Sequence, residues 1–315
     1  RAKTNRKLVA FPSDHPFYSY DDWFIGKTLC NNGVPEEISA LSVTFDSCDI
    51  NSLKGLFEKY PDQIAAVITE PEKPHCYNCS CEISSKEYLE KAIALTHENG
   101  ALFILDEMVT GFKVGFPGAV SVYNLTPDFI TWGKGIANGF SFCALTGKKE
   151  LMDQGGIIDQ GQKRVFLISS THGGETHAIR AGLKTISVFK KENVLGHIHN
   201  VGKQLIHDTV NLIKLNQLED YIDVTPCPWA VLFIFKDGKK NICNVHRTFF
   251  LQEMISQNIL FQGYFIPCFS HGKDEIELFL SAFEQVLKLY KSVIKNGYKG
   301  ELVGAQTKPV FRKYN

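Results

Sequence analysis

No run of apolar residues in the 315-residue chain approaches the roughly 20 needed to cross a bilayer as a helix. Neither sign of charge is in excess: Lys plus Arg and Asp plus Glu both number 34, so the overall charge suggests neither nucleic acid nor an anionic membrane surface as a partner. No G-x-G-x-x-G follows the first strand-like segment, which removes the fingerprint of a nicotinamide dehydrogenase. There is no internal repeat, low-complexity tract or flexible linker. The basic N-terminus lacks an adjoining apolar stretch of signal-peptide length, so a cytoplasmic location is the default expectation. Nine cysteines, an odd number scattered through a large chain, fit reduced thiols better than a disulfide framework.

What is present fits an ordinary globular chain: with 44% hydrophobic and 22% charged residues it can bury a substantial core, divided between one larger and one smaller domain. Ile64–Thr69 (IAAVIT) and Ala101–Leu105 (ALFIL) are short continuous apolar runs, as expected of strands buried on both faces of a parallel sheet. Each runs into an acid, Glu70 and Asp106. Between them Ser84 and Glu87 form a capping-box pattern ahead of an amphipathic helix stopping at Gly100, which completes a βαβ unit. Two further strands are expected at 129–132 and 142–146, and a helix over 178–191. The pattern then changes to a long helix over 194–218, short strands around 229–235 and a strong helix over 274–295. The expected architecture is α/β, with a large domain over 1–192 and a smaller C-terminal α+β domain over 193–315. The ELVGAQTKPVFRKYN tail is expected on the surface.

In open parallel sheets, chemistry collects at the carboxyl ends of the strands. There Asp106 follows one strand and the glycine-flanked Lys134 follows the next, 28 residues later (134 minus 106). An amine that attacks a carbonyl must be able to lose its proton, which desolvation between Gly133 and Gly135 would favour. A carboxylate on a pyridine nitrogen keeps the ring protonated as an electron sink. Alone, such a lysine is ordinarily a surface turn, and such an aspartate a helix N-cap. Their coupling at this spacing favours chemistry.

The stretch LFILDEMVTGFKVGFPGAVSVYNLTPDFITWGKGIANGF resembles the class III, fold type I pyridoxal-phosphate enzymes, most closely the glutamate-1-semialdehyde aminomutase group. The resemblance runs from residue 1 to about residue 290. It implies a mainly parallel seven-stranded sheet, pyridoxal 5'-phosphate as cofactor, and transfer or migration of an amino group between a small-molecule donor and a carbonyl acceptor. In DEMVTGF it assigns Asp106 to the pyridine nitrogen, and in PDFITWGK it assigns Lys134 as the Schiff-base lysine. DHPFYSYDDWF aligns with the segment whose aromatic ring stacks on the pyridine, making Phe17 the candidate and placing Tyr18 at the usual histidine position. Asp21, Asp22 and Trp23 are expected to anchor that segment. Glu70 in TEPEKP matches the family's Glu-Pro, beside the cofactor's phenolic side. Thr171 matches a threonine that reaches the cofactor phosphate of a second subunit, which implies a homodimer with shared sites.

Two departures accompany the match. The resemblance places the family's Gly-Ser phosphate cup ahead of Arg1, and RAKTNRK reads as the end of a helix, so the expectation is a fragment of a longer enzyme. Near Gly263, where the aminomutase carries a glutamate, this sequence has FQGYFIPCFSHG, which favours transfer between two substrates over mutase chemistry. The alternative reading, suggested by the missing cup, is a cofactor-poor binding or scaffold subunit. His75, Cys76, Cys79 and Cys81 could ligate zinc, but no second Cys-x-x-Cys pair supports them, so no metal is assigned. His172 and Glu175 read equally as substrate contacts or helix caps, and His271 as a turn residue.

Overall fold

In the computed structural model the described residues are all except 15, 16, 73–84, 157–160, 162, 164, 166–170, 299, 300 and 311–315. They form two compact units, one over Arg1–Glu192 and one over Asn193–Val310. The His75–Cys81 cluster and the Ser84 cap lie outside the described residues.

The elements of the first unit are β1 (Leu8–Pro12), α1 (Asp22–Ile25), α2 (Glu36–Ser39), β2 (Ser42–Phe45), α3 (Ile50–Lys59), β3 (Ile64–Thr69), α4 (Ser85–Glu98), β4 (Leu102–Glu107), α5 (Ala119–Val122), β5 (Phe129–Trp132), β6 (Ala144–Gly147), α6 (Lys149–Met152) and α7 (Thr176–Lys191). Its sheet runs β2-β1-β3-β4-β5-β6, parallel except where β6 pairs antiparallel with β5. Among the described residues it has six strands where the resemblance implies seven. The opening RAKTNRK is a turn, closed by the Asn5 N–H on the Arg1 carbonyl at 2.8 Å.

All six residues of β3 are buried because both faces of the sheet are covered. Val67, Phe103 and Leu105 point into a core with Leu53 and Phe57 of α3 and Leu89 and Ile93 of α4. Ile68 and Ile104, one residue out of phase, meet Phe11 and Phe24 on the other side. Alternation along β3 and β4 thus fixes which residues reach the strand ends.

Asp128 locks the central strands to α4 and to the β6–α6 turn. The buried carboxylate accepts the Phe103 N–H at 2.7 Å, the Lys148 ammonium at 2.6 Å and His97 Nε2 at 2.8 Å. Burial pushes its pKa up, but these three donors outweigh burial and hold it below the usual aspartate value. A depressed carboxylate contributes stability that is present above its unfolded pKa of about 3.9 and lost as pH falls through the folded value. Asp128→Asn should therefore cost about 2–3 kcal/mol near neutral pH. The gap to wild type should narrow below about pH 4 in thermal unfolding.

The second unit comprises α8 (Val194–Leu215), β7 (Ile222–Val224), β8 (Val231–Phe235), α9 (Asn244–Ser256), β9 (Tyr264–Phe265) and α10 (Lys273–Asn296). The strands pair antiparallel in the order β7-β8-β9. Phe233, Phe235, Phe250, Phe283 and Tyr290 fill its core against α8 and α10. Gly202 of α8 lies so close to the loop before β8 that a Cβ would stand 1.8 Å from the Pro228 carbonyl oxygen. Because backbone cannot yield as a flexible side chain does, Gly202→Ala should cost about 1–3 kcal/mol, read as a lowered denaturation midpoint. The tail from 301 is largely exposed, with Val303 and Val310 open to solvent.

Candidate active site

β3, β4 and β5 end side by side, bringing Glu70, Asp106 and the segment after Trp132 to one edge of the sheet. Glu70 and Asp106 are buried. Oδ1 of Asp106 accepts the Met108 N–H at 2.8 Å and the Thr131 hydroxyl at 2.9 Å. The first bond is a local turn; the second pins the carboxylate to the neighbouring strand.

Tyr18 sits in the loop after β1, half-buried against Phe11 and Phe24 with ring centroids at 5.8 Å in both pairs. Burial first, then the Glu70 carboxylate, raise its phenol pKa well above the ordinary value, with a smaller contribution from Asp106. The Thr69 side chain and the Glu70 backbone oppose the rise. The sequence-assigned Tyr18, Glu70 and Asp106 therefore lie close together at this edge of the sheet. Phe17 turns outward, 53% exposed, with its ring edge-on to Phe24 at 5.9 Å. Two of the three expected anchors hold this segment, Asp21 capping α1 through its carbonyl and the Trp23 carbonyl accepting the Ser42 hydroxyl at 2.6 Å, while Asp22 is exposed in the first turn of α1.

Lys134 opens a 3-10 turn directly after β5, in the left-handed region at φ +46°. It is exposed, against the expectation of a buried amine. The flanking glycines serve the backbone instead. A Cβ on Gly133 would stand 1.9 Å from the Met108 sulfur, and one on Gly135 would touch the Phe112 Cβ at 3.5 Å. They let the turn that follows Asp106 close onto the turn carrying Lys134. Aromatic packing holds this contact: Phe112 meets Trp132 of β5 and Phe189 of α7, and Phe116 stacks on Phe189 at 5.5 Å.

Two residues of the same stretch were not read from the sequence as functional. Glu107 is fully buried; it accepts the Thr110 hydroxyl at 2.5 Å and the Val120 N–H at 2.7 Å, tying both ends of the 108–120 loop to β4. Burial raises its carboxyl pKa. Lys113 is half-buried in that loop, donates to the Val109 carbonyl at 3.1 Å, and has its pKa lowered to about 8 by burial first and by Lys134 second, with Glu70 opposing. The desolvated lysine is Lys113, because the loop folds it back under its own backbone while Lys134 stands at the rim. Their signal was the motif itself, which runs DEMVTGFK.

Thr171 is exposed in the turn before α7. His172 and His177 bracket the Glu175 carboxylate at 2.8 and 3.2 Å, beside a pocket of about 350 Å³ lined by Phe142, Cys143 and Gly174. His271 is a turn residue, its Nδ1 accepting the Cys268 N–H at 3.1 Å. Gly263, at φ +84°, precedes β9 in the second unit, and no carboxylate stands at that position.

An amine and a buried carboxylate on neighbouring strand ends form the donor set that a pyridine aldehyde needs, and residues 33–287 match the family described as aminotransferase class III. The chain belongs to the class III aminotransferases. This class III chain is 26% identical over 279 residues to the 3-aminobutyryl-CoA aminotransferase of Cloacimonas acidaminovorans, covering 88% of itself and 65% of that protein. It is 32% identical over 264 residues to glutamate-1-semialdehyde 2,1-aminomutase 1 of Staphylococcus epidermidis, covering 81% of itself and 60% of the relative. The chain thus spans about two thirds or less of the length of these two relatives. Among solved structures, a transaminase with PLP bound superposes with a TM-score of 0.79 at 18% identity, over 94% of this chain and 70% of that one. An omega-transaminase from Sphaerobacter thermophilus superposes at 0.78, also at 18% identity, over 92% and 70%. The fold is that of the fold type I PLP transferases.

Proposed function

We propose that this class III chain carries out pyridoxal-phosphate-dependent amino-group transfer, with Lys134 as the amine that carries the cofactor and Asp106 as the partner of its ring nitrogen. The observation that carries the reading is the Asp106 carboxylate, buried at the end of a central parallel strand and pinned to the strand that delivers Lys134. Bound pyridoxal phosphate supplies a carbonyl that condenses with amines and a ring that accepts electrons from the substrate carbon. The chain's own residues do the rest. Two hydrogen bonds to Oδ1 fix the Asp106 carboxylate, which can then hold a proton on a facing nitrogen. At the rim, the Lys134 amine is placed to take and return protons at a reacting carbon.

Glu70 and Tyr18 lie beside Asp106 and are read as flanking the cofactor. The exposed Phe17 ring is the candidate to lie over the cofactor, and the exposed Thr171 the candidate to reach a second subunit's phosphate in a homodimer. The first unit is read as the cofactor-binding domain. Between two activities, transfer between a separate donor and acceptor is favoured over isomerisation, because the residues near Gly263, where the resemblance to the aminomutases implies a glutamate, read FQGYFIPCFSHG. No described helix is long and apolar enough to cross a membrane, and the odd number of scattered cysteines in the sequence supports a reducing compartment such as the cytoplasm.

The test is to add pyridoxal phosphate, reduce with borohydride and map the modified peptide by mass spectrometry. Label at Lys134 is the expected result. A folded protein that takes label elsewhere, or none, overturns the assignment.

A further inference from the structure

Asp106 of β4 and Thr131 of β5 are registered partners across a parallel pair, so their side chains stand on the same face of the sheet. The half-buried Thr131 hydroxyl crosses from one strand end to the next and donates to Asp106 Oδ1 at 2.9 Å, on the oxygen that also accepts the Met108 N–H at 2.8 Å. The two bonds have different origins. Any residue except proline at position 108 supplies the N–H, whereas the second bond needs a hydroxyl at position 131. The strand itself does not depend on that hydroxyl. β5 is paired with β4 on one side and β6 on the other, and the Trp132 indole N–H donates to the Thr146 hydroxyl at 2.8 Å.

We propose that Thr131 is a positioning residue for the amino transfer: its hydroxyl keeps the Asp106 carboxylate ionised and a weaker base than the ring nitrogen it faces, so that the shared proton stays on the nitrogen. The inference rests on the proposed function for the ring nitrogen, while the effect of Thr131 on Asp106 is a property of the chain alone. An ionised carboxylate can only accept, and a hydrogen bond donated to it favours the charged form over the protonated one. The acids nearby act in the opposite sense. Glu70 after β3 and Glu107 beside Asp106 on β4 stand at the same edge, and like charges favour a proton on the carboxyl. Tyr18 after β1, Lys113 in the loop after β4 and Lys134 after β5 complete the titratable groups around the strand ends. None of these changes when position 131 is replaced, so the contribution of the hydroxyl can be isolated. Without it the ring N–H bond is given up in part to an O–H bond at Asp106, and the electron sink weakens.

The direct measurement is a pH titration of the Asp106 carboxyl carbon by NMR in cofactor-free protein labelled with carbon-13 aspartate, the resonance being assigned by its loss in Asp106→Asn. In Thr131→Val, which keeps the shape of the side chain and loses the hydroxyl, the midpoint should lie about one pH unit above wild type. Thr131→Ser, which keeps the hydroxyl, should return it to the wild-type value. The same midpoint in wild type and Thr131→Val overturns the proposal, as does a serine variant that behaves like the valine one. Thr131→Ala provides a second hydroxyl-free variant should the first not fold.

A second readout is the nitrogen-15 chemical shift of ring-labelled pyridoxal phosphate added to each protein. At equal borohydride label on Lys134, the ring nitrogen of Thr131→Val should move toward its unprotonated value, and kcat should fall about tenfold with KM for the amino donor unchanged. A nitrogen resonance that stays in place also overturns the proposal. A purely structural role for Thr131 would lower the denaturation midpoint and leave both resonances where they are. Borohydride label absent from Lys134 sinks the functional reading instead, and the carboxyl titration still decides what Thr131 does to Asp106.

Discussion

Lys134→Gly should abolish the borohydride-fixed pyridoxyl label while leaving the fold intact. The two halves of this expectation have separate physical grounds. On the functional side, no other amine stands on the turn after β5, and the variant loses both the group that carries the cofactor and the group that moves the proton. A loss of amino-transfer rate of at least about 10³-fold follows. On the structural side, Lys134 is exposed and occupies the left-handed region at φ +46°. That conformation costs a non-glycine residue about 1–2 kcal/mol. Glycine relieves the cost, and its greater freedom in the unfolded chain offsets part of the gain. Chemical denaturation should place the variant within about 1 kcal/mol of wild type. Lys134→Ala, which keeps the strain, should be the less stable of the two and equally inert. Residual label in either variant would move the cofactor amine elsewhere, and Lys113 would be the first place to look.

The central sheet was legible because β3 is buried along its whole length and β4 is covered on both faces with only Leu102 and Ile104 half-buried, so continuous apolar runs mark them without reference to any partner. The long α8 and α10 were legible from helical periodicity. The first two strands were not: LVAFP ends in proline and SVTF alternates polar with apolar over four residues, so neither presents a run of sufficient length. Lys134 and Asp106 could be named because motif and spacing depend on chain order. The burial expected of Lys134 could not be checked in the same way, since desolvation depends on how the 108–120 loop folds back. Glycine on each side of a lysine marks close backbone packing as readily as a buried amine, and here it marks packing, with Met108 and Phe112 filling the space. Glu107 was passed over for a related reason. Its partners, Thr110 and Val120, are three and thirteen residues away, and the second becomes a neighbour only once the loop has closed.

Asp106→Asn should keep the label at Lys134 and lose the amino transfer. The asparagine Oδ1 can go on accepting the Met108 N–H and the Thr131 hydroxyl, so the strand ends and the turn between them stay in place. What changes is charge: a neutral amide cannot hold a proton on a facing ring nitrogen as a carboxylate does, and the electron sink is weakened while attachment at Lys134 is untouched. A fall in rate of about 10²–10⁴ with the pyridoxyl label retained is the expected pair of results. Asp106→Ala separates charge from architecture. It strands the Met108 N–H and the Thr131 hydroxyl beside a buried space, and should cost about 2–4 kcal/mol in chemical denaturation. If Asp106→Asn transferred amino groups at the wild-type rate, the carboxylate would be reduced to a structural bond acceptor. The role at the ring nitrogen would then fall to another acid at the same edge, of which Glu70, buried at the end of β3, is the nearest in the order of the strands.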